Sequence, residues 1–270
     1  MKAYFKITIG LMILSVFVVI FYVMHRPSLS EEQALIMIYG NYNSTSKSSY
    51  WANIPFPDKE DSIGYFKERN GIVRAIFYQP YYENGKDKIF LLTKTIPTNI
   101  PFDCHACLPL IGAAVFVTKR GHWEIEAQNQ FIMYDGEYGE LPVVKLIPVG
   151  KNKFGLSLDF GHVAIRDREL SILVPYKNSI VNAHKEIIYY ENFSECEFAR
   201  KIPCEAYTAD VVFDKAMKGD FYGLKVKKFG TIYSDKREKM MPVDQRISYQ
   251  FIDGFYSVVS QIGENYIPTT

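Results

Sequence analysis

Short strand-like segments separated by short polar turns fill most of the chain beyond Gly71, and this pattern constrains the fold more than any other feature. Ile72–Tyr82 and Lys88–Ile96 are joined through Asn84-Gly85, a dipeptide that favours a tight β-hairpin. Turns this short join antiparallel strands, whereas parallel strands need longer, usually helical, crossovers. The pattern predicts a mainly β fold: an antiparallel β-rich sandwich or barrel-like domain with few short helices.

Further segments rich in β-branched and aromatic residues continue the pattern, so about ten to twelve strands are expected in all. These segments are Ala113–Thr118, Trp123–Met133, Val143–Ile147, Phe154–Phe160, Leu170–Val174, Glu186–Tyr190, Ala206–Phe213, Tyr222–Lys227 and Ile247–Ser257. Two stretches, Ser179–His184 and Asp210–Met217, are compatible with helical inserts. The segments do not recur at one fixed period, which argues against a β-propeller.

A short helix is predicted ahead of the strands, over Glu31–Tyr39. Either Ser28 or Ser30 can cap it, because Glu31 follows Ser28 by three residues and Gln33 follows Ser30 by three. Each pair has the spacing of a capping box, in which the serine and the acidic or amide side chain satisfy each other's backbone N–H groups. The helix is expected to stand as a stalk before the β-rich part.

The 18-residue run Ile7–Met24 contains no charged residue. A helix of that length spans about 27 Å, close to the ~30 Å hydrocarbon core of a bilayer. Lys2 and Lys6 precede the run, so the positive-inside rule favours a cytoplasmic N-terminus. The run is longer than a signal-peptide core and no Ala-x-Ala site follows it, so an anchor is favoured over a cleaved signal peptide. The sequence predicts a single-pass protein of the inner (cytoplasmic) membrane, with its C-terminal domain in the periplasm or extracellular space.

The chain is therefore expected to have three parts. Residues 1–26 form the cytoplasmic tip and transmembrane anchor, residues 27–61 the stalk helix and a linker, and residues 62–270 the exported β-rich domain. Within the second part, Asn41–Asp61 is polar and rich in serine, which indicates a loop.

All four cysteines, Cys104, Cys107, Cys196 and Cys204, lie beyond the predicted anchor. Disulfides persist in oxidising compartments outside the cytoplasm, and an even number of cysteines there indicates paired thiols. Three pairings are possible. The simplest joins Cys104 to Cys107 and Cys196 to Cys204.

The motif Cys104-His-Ala-Cys107 also has a redox interpretation. Cys104 would attack as a thiolate stabilised by His105, and Cys107 would resolve the mixed disulfide. The segment resembles a thioredoxin-like active site, in which a strand precedes Cys-x-x-Cys and a helix follows it. Pro109 and Gly112 disfavour a helix at that point, so a local disulfide before a buried strand is the favoured interpretation.

Other kinds of site find little support in the sequence. Structural zinc needs a second pair of ligands to match the Cys-x-x-Cys, and the chain lacks one. Covalent haem attachment needs a histidine directly after the second cysteine, where Leu108 stands. Dinucleotide, P-loop and nucleophile-elbow patterns are absent from the sequence. No metal, no cofactor and no catalytic residue outside the redox alternative is predicted.

These observations predict a membrane-anchored extracytoplasmic (periplasmic) binding or protein-interaction module of the cell envelope, for example an inhibitor or immunity-type protein. The alternative is a thiol–disulfide oxidoreductase that uses Cys104 and Cys107. The expected partners are the membrane, through Ile7–Met24, and a protein of the envelope. Nucleic acid is not expected, because the formal net charge is only +1 and no dense basic stripe is present.

Overall fold

A computed structural model of the chain describes residues 28–54, 69–98, 108–135, 142–162, 167–193, 196, 203–217, 219–234 and 237–263. Within these residues, one helix and fourteen strands form two antiparallel sheets, so the prediction of a mainly β, antiparallel fold is confirmed. In chain order, the elements are α1 (Glu31–Tyr39), β1 (Tyr42–Asn43), β2 (Ser48–Trp51), β3 (Gly71–Glu83), β4 (Lys86–Pro97), β5 (Leu110–Lys119), β6 (His122–Tyr134), β7 (Val143–Gly150), β8 (Lys153–His162), β9 (Asp167–Tyr176), β10 (Ser179–Glu191), β11 (Ala206–Asp214), β12 (Gly223–Ser234), β13 (Lys239–Ile252) and β14 (Phe255–Ile262).

Both sheets are meanders in which each strand pairs with its neighbours in sequence. The first has the order β1 to β6 and the second the order β14 back to β7. The predicted hairpin at Asn84-Gly85 is confirmed, with φ angles of 51° and 79° at its two turn residues. Asparagine and glycine tolerate this left-handed region, which matches the twist of the flanking strands.

Helix α1 is confirmed with the predicted bounds, and the capping serine is Ser30. The Ser30 hydroxyl accepts the Gln33 N–H at 3.1 Å, and the Gln33 side chain accepts the Ser30 N–H at 2.9 Å. At the other end, the N–H of Gly40 donates to the carbonyl of Ile36. Gly40 has a φ of 65°, a value that favours glycine at a helix end.

The helix packs against the first sheet. Leu35 is fully buried there, in a cluster with Trp51, and the Tyr39 hydroxyl lies 2.9 Å from that of Thr93 on β4. The stretch Asn41–Asp61, predicted as a loop, contains β1 and β2, so that prediction was wrong for these strands. The serines of this stretch indicated an exposed loop, but Ser48 and Ser49 are buried in strand β2 of the sheet.

Three other local predictions were wrong. Ser179–His184 lies in β10 and pairs with β9, and it is not a helical insert. Asp210–Met217 is strand up to Asp214, where a turn begins. Ile247–Ser257 is interrupted by a hairpin turn at Asp253-Gly254, whose φ angles are 49° and 101°. In the first two cases pairing with neighbouring strands overrides local propensity, and in the third an Asp-Gly turn signal was missed.

The two sheets pack face to face around a shared core. Phe90 and Val115 of the first sheet lie in one buried cluster with Leu158 and Phe160 of the second. Hydrogen bonds also cross between β6 and β10. The Gln128 N–H donates to the Asn178 carbonyl at 3.2 Å, next to the start of β10.

A buried charged group ties the sheets at another point. Lys88 on β4 forms ion pairs with Glu83 and, at 2.6 Å, with Glu126. The other oxygen of Glu83 accepts the N–H of Phe154, on β8 of the second sheet, at 3.0 Å. Glu83 therefore links the sheets directly, and its charge is compensated by Lys88.

The predicted membrane segment Ile7–Met24 lies outside the described residues, so it stays a prediction. Among the residues that are described, no helix has the length and apolar character needed to span a membrane.

Candidate functional site

A cavity opens where the second sheet divides. β10 pairs with β11 over only three residues, Tyr189–Glu191 against Ala206–Thr208. Towards its beginning β10 separates from β11 and instead contacts β14, the last strand of the same sheet. Strands β11 to β14 therefore curl over β10, and the space between them is about 370 Å³. This β10–β14 cavity is lined by Asn182, Ala183, His184, Lys185, Glu186, Tyr249, Phe255, Tyr256 and Val258.

A β-bulge directs His184 into this space. The register of β10 against β9 shifts between Asn182 and His184, so Ala183 is an extra residue. Ala183 and His184 are both buried, although successive residues of a regular strand face opposite sides. The imidazole meets Tyr249 and Tyr256 edge-on, with ring centroids 4.8 Å and 6.0 Å away.

An ion pair lies beside the histidine. Glu186, two residues further along β10, contacts the Lys228 ammonium of β12 at 2.8 Å, and both side chains are buried. Burial raises the pKa of Glu186, and the hydrogen bond from Lys228 opposes that rise. Because the two charges compensate each other, they add no net charge to the interior.

Burial also keeps the neighbouring groups neutral. It lowers the pKa of His184 to about 4, and the positive charge of Lys228 acts in the same direction. It raises the pKa of Tyr249 to about 12, helped by the negative charge of Glu186. At pH 7 the histidine and the tyrosine are therefore neutral hydrogen-bonding groups. We call His184, Glu186, Lys228, Tyr249 and Tyr256 the polar layer.

Two atoms of the polar layer lack a hydrogen-bond partner in the protein: Nε2 of His184 and the hydroxyl oxygen of Tyr256. An unsatisfied buried polar group costs about 1–3 kcal/mol. Native structures rarely keep such groups without a partner. Both residues also line the cavity.

The remaining cation at the cavity is neutralised from the other side of β10. Lys185 contacts Glu169 at 2.8 Å and Asp135 at 3.5 Å. Burial raises the pKa of Glu169 to about 7, against the opposing effect of Lys185. The cavity thus combines aromatic rings, neutral polar groups and charges that already have partners.

Of the residues predicted as sites, the structure describes one cysteine pair. Cys196 and Cys204 form the predicted disulfide, with their Cα atoms 5.1 Å apart. It closes the connection between β10 and β11, next to the three residue pairs that join these strands. Cys104, His105 and Cys107 lie outside the described residues, so both the second disulfide and the redox site stay predictions.

Sequence reasoning missed the polar layer. His184 was not predicted as a site residue, and the structure shows that it is buried. The available signal was the polar stretch Asn182–Glu186 inside an otherwise strand-like segment. Its partners on β12, β13 and β14 are more than forty residues away in the sequence, and nothing local pairs them with β10.

Within the part of the chain that the structure describes, no group of histidine, cysteine, aspartate or glutamate side chains is arranged to hold a metal ion. Comparisons with protein families, with curated proteins and with solved structures found no match for this chain.

Proposed function

We propose that this chain is a non-enzymatic binding protein of the cell envelope, anchored in the inner membrane by Ile7–Met24, which takes an uncharged polar ligand into the β10–β14 cavity. One observation carries the proposal: buried polar atoms without partners beside a cavity of about 370 Å³. Small-molecule sites typically measure about 300–1,000 Å³ and combine apolar walls with a few polar groups that orient the ligand.

The charges around the cavity favour a neutral ligand. Glu186 is paired with Lys228, and Lys185 with Glu169 and Asp135. A charged ligand would compete with one of these pairs and leave the other member buried and uncompensated, which is costly. A neutral ligand needs only hydrogen bonds, and His184 and Tyr256 retain unused capacity for them.

The shape and chemistry of the lining favour a sugar. Tyr249 and Tyr256 present aromatic rings, while Asn182 and His184 supply neutral polar groups. A sugar ring has apolar C–H faces that pack on aromatic rings, and hydroxyls at its edge that form hydrogen bonds. A neutral saccharide of one or two rings suits this combination, and saccharides are common components of cell envelopes.

The compartment is part of the same proposal. An uncharged 18-residue run near the N-terminus supports the anchor. The disulfide between Cys196 and Cys204 supports an oxidising compartment, because such bonds are rare in the cytosol. An anchored binding domain also stays at a high effective concentration next to the envelope.

Binding should be blocked when the cavity is filled. We expect saturable binding of at least one of glucose, maltose, N-acetylglucosamine and diacetylchitobiose, measured by isothermal titration calorimetry. Charged counterparts, glucuronate and glucosamine, should bind at least about tenfold more weakly, a difference of about 1.4 kcal/mol. Val258→Trp, which places an indole in the cavity, should weaken binding of the neutral sugar by about tenfold or more.

The matched control for this experiment is Val259→Trp. Val259 follows Val258 and is equally exposed, at 46% against 48%, but it does not line the cavity. Its affinity should stay within about twofold of the unmodified protein. The cavity would be ruled out as the site if no neutral sugar bound, or if both tryptophan variants bound alike.

The proposed localisation in the cell envelope has its own test. Alkaline phosphatase fused after Thr270 should be active in a bacterial host, because this enzyme folds only outside the cytoplasm, where its disulfides form. Deleting residues 1–26 should abolish that activity, since the predicted anchor directs export. A protein that fluoresces only in the cytoplasm, fused at the same position, should fluoresce only in the variant that lacks residues 1–26. An inactive phosphatase fusion and a fluorescent full-length fusion would contradict localisation of the domain in the envelope.

A further inference from the structure

Sheet edges expose unpaired backbone N–H and C=O groups, and proteins usually protect them. Three of the four edges in the described sheets are protected. β1 is only two residues long, β6 donates a backbone hydrogen bond to Asn178 beside β10, and β7 carries Lys145 and Pro148. β14, the fourth, contacts β10 at the cavity but pairs as a strand with β13 alone among the described residues.

β14 has few of these protective features. Its eight residues, Phe255–Ile262, include no charged residue, no proline and no glycine. Four large apolar side chains on it, those of Phe255, Val258, Val259 and Ile262, are between 46% and 71% exposed. A long, uncharged and apolar edge of this kind favours pairing with another strand.

A bulge gives β14 a symmetric outer face. The register against β13 shifts at Ser248 and Tyr249, which leaves Val259 as an extra residue on β14. The exposed face of β13 carries Arg246, Ser248, Gln250 and Ile252. Their partners on β14 are Ile262, Ser260, Ser257 and Phe255, so these four share the outer face. Read in either direction, that face presents a large apolar residue, a serine, a serine and a large apolar residue.

We infer that β14 pairs antiparallel with β14 of a second copy of this chain, about a two-fold axis between Val258 and Val259. In this register, Phe255 lies opposite Ile262 of the other copy, and Ser257 lies opposite its Ser260. Directly opposite residues of an antiparallel pair must share a face, and the bulge at Val259 is what makes these pairs do so.

A second copy fits this edge for reasons of symmetry and charge. A two-fold interface brings the same surface patch together from both copies, so the patch must be self-complementary. The eight residues carry no charge, so the pairing places no like charges opposite each other. The pairing joins the two curled sheets into one continuous sheet.

The oligomeric state of the full chain in detergent tests the inference. Analytical ultracentrifugation should give twice the chain mass. Ile262→Lys should at least halve the dimer fraction, because it places a charge opposite Phe255 of the other copy. Val143→Lys is the matched control, since Val143 is 58% exposed on β7, the opposite edge strand of the same sheet. It should leave the dimer intact.

Cross-linking tests the register independently of stability. The double variant Ser257→Cys/Ser260→Cys places a cysteine opposite a cysteine at two positions of the pair, and mild oxidation should give covalent dimers. Each single variant places its cysteine opposite a serine and should cross-link at least tenfold more slowly. Three results would each overturn the inference. The first is a monomeric chain, the second is a dimer that Ile262→Lys and Val143→Lys weaken equally, and the third is equal cross-linking of the single and double variants.

Discussion

Replacing Lys88 by methionine should lower the free energy of unfolding by about 3–5 kcal/mol, the usual cost of leaving one member of a buried ion pair uncompensated. Lys88 is buried between Glu83 and Glu126. Burial alone would lower its pKa, but hydrogen bonds with Glu126 and Glu83 outweigh burial and raise it, so the ammonium stays charged. Methionine leaves the buried Glu83 carboxylate without a counter-charge at the point where it links the sheets. Urea denaturation measures the loss.

The chain offers an exposed counterpart of this ion pair. Lys119 contacts Glu124 at 3.2 Å, and both side chains are at least half exposed. Lys119→Met should cost less than about 1 kcal/mol, because exposed ion pairs are screened by water. Adding Glu83→Gln to Lys88→Met should recover part of the loss, since the amide carries no charge. Equal costs for the two lysine variants would show that Glu83 and Lys88 do not tie the sheets together.

Stability should also fall by about 3 kcal/mol between pH 6.5 and pH 4 because of His184. Its pKa in the folded protein is about 4, below its ordinary value of 6.5. The unfolded chain therefore binds the proton first as the pH falls, and protonation pulls the equilibrium towards unfolding. The stabilising contribution of His184 is fully present above pH 6.5 and is lost as the pH falls from 6.5 to about 4. Each unit of pKa difference corresponds to about 1.4 kcal/mol.

Variants separate this effect from other titrations. Glu169 acts in the opposite sense, because its folded pKa of about 7 is raised above its ordinary value of 4.5. Its contribution therefore falls as the pH rises through that range. Urea denaturation of the unmodified protein and of His184→Asn, at pH values from 4 to 8, isolates the histidine as the difference between two curves. His122→Asn, at the exposed start of β6, is the control for the loss of a histidine outside the core. A His184→Asn curve that runs parallel to that of the unmodified protein would contradict the burial of a neutral imidazole.

The features that could be predicted from the sequence depend on neighbouring residues. The hairpin at Asn84-Gly85 needs two turn residues with positive φ, and the cap of α1 needs a serine three residues before a glutamine. The disulfide of Cys196 with Cys204 spans a separation of only eight residues. Each of these signals is complete within a short stretch of chain.

The candidate site depends on long-range geometry instead. The sequence around Asn182 does not predict the bulge that turns His184 inwards, because a bulge is defined by the register against the partner strand. The contact between β10 and β14 follows from the curl of the three intervening strands, and the pairing of Glu186 with Lys228 follows from that curl. Sequence reasoning therefore recognised the strands but not the cavity that they enclose.

The meander order has a consequence for the order in which the sheets form during synthesis. Each strand pairs with the strand synthesised just before it. Each hairpin can therefore form as soon as its second strand leaves the ribosome, because its contacts are local in sequence. The contact of β14 with β10 is different, because it requires the last of the described strands. A chain that stops before β14 can therefore form most of its sheets and still lack the cavity. Under the proposed function, ligand binding there requires synthesis as far as β14.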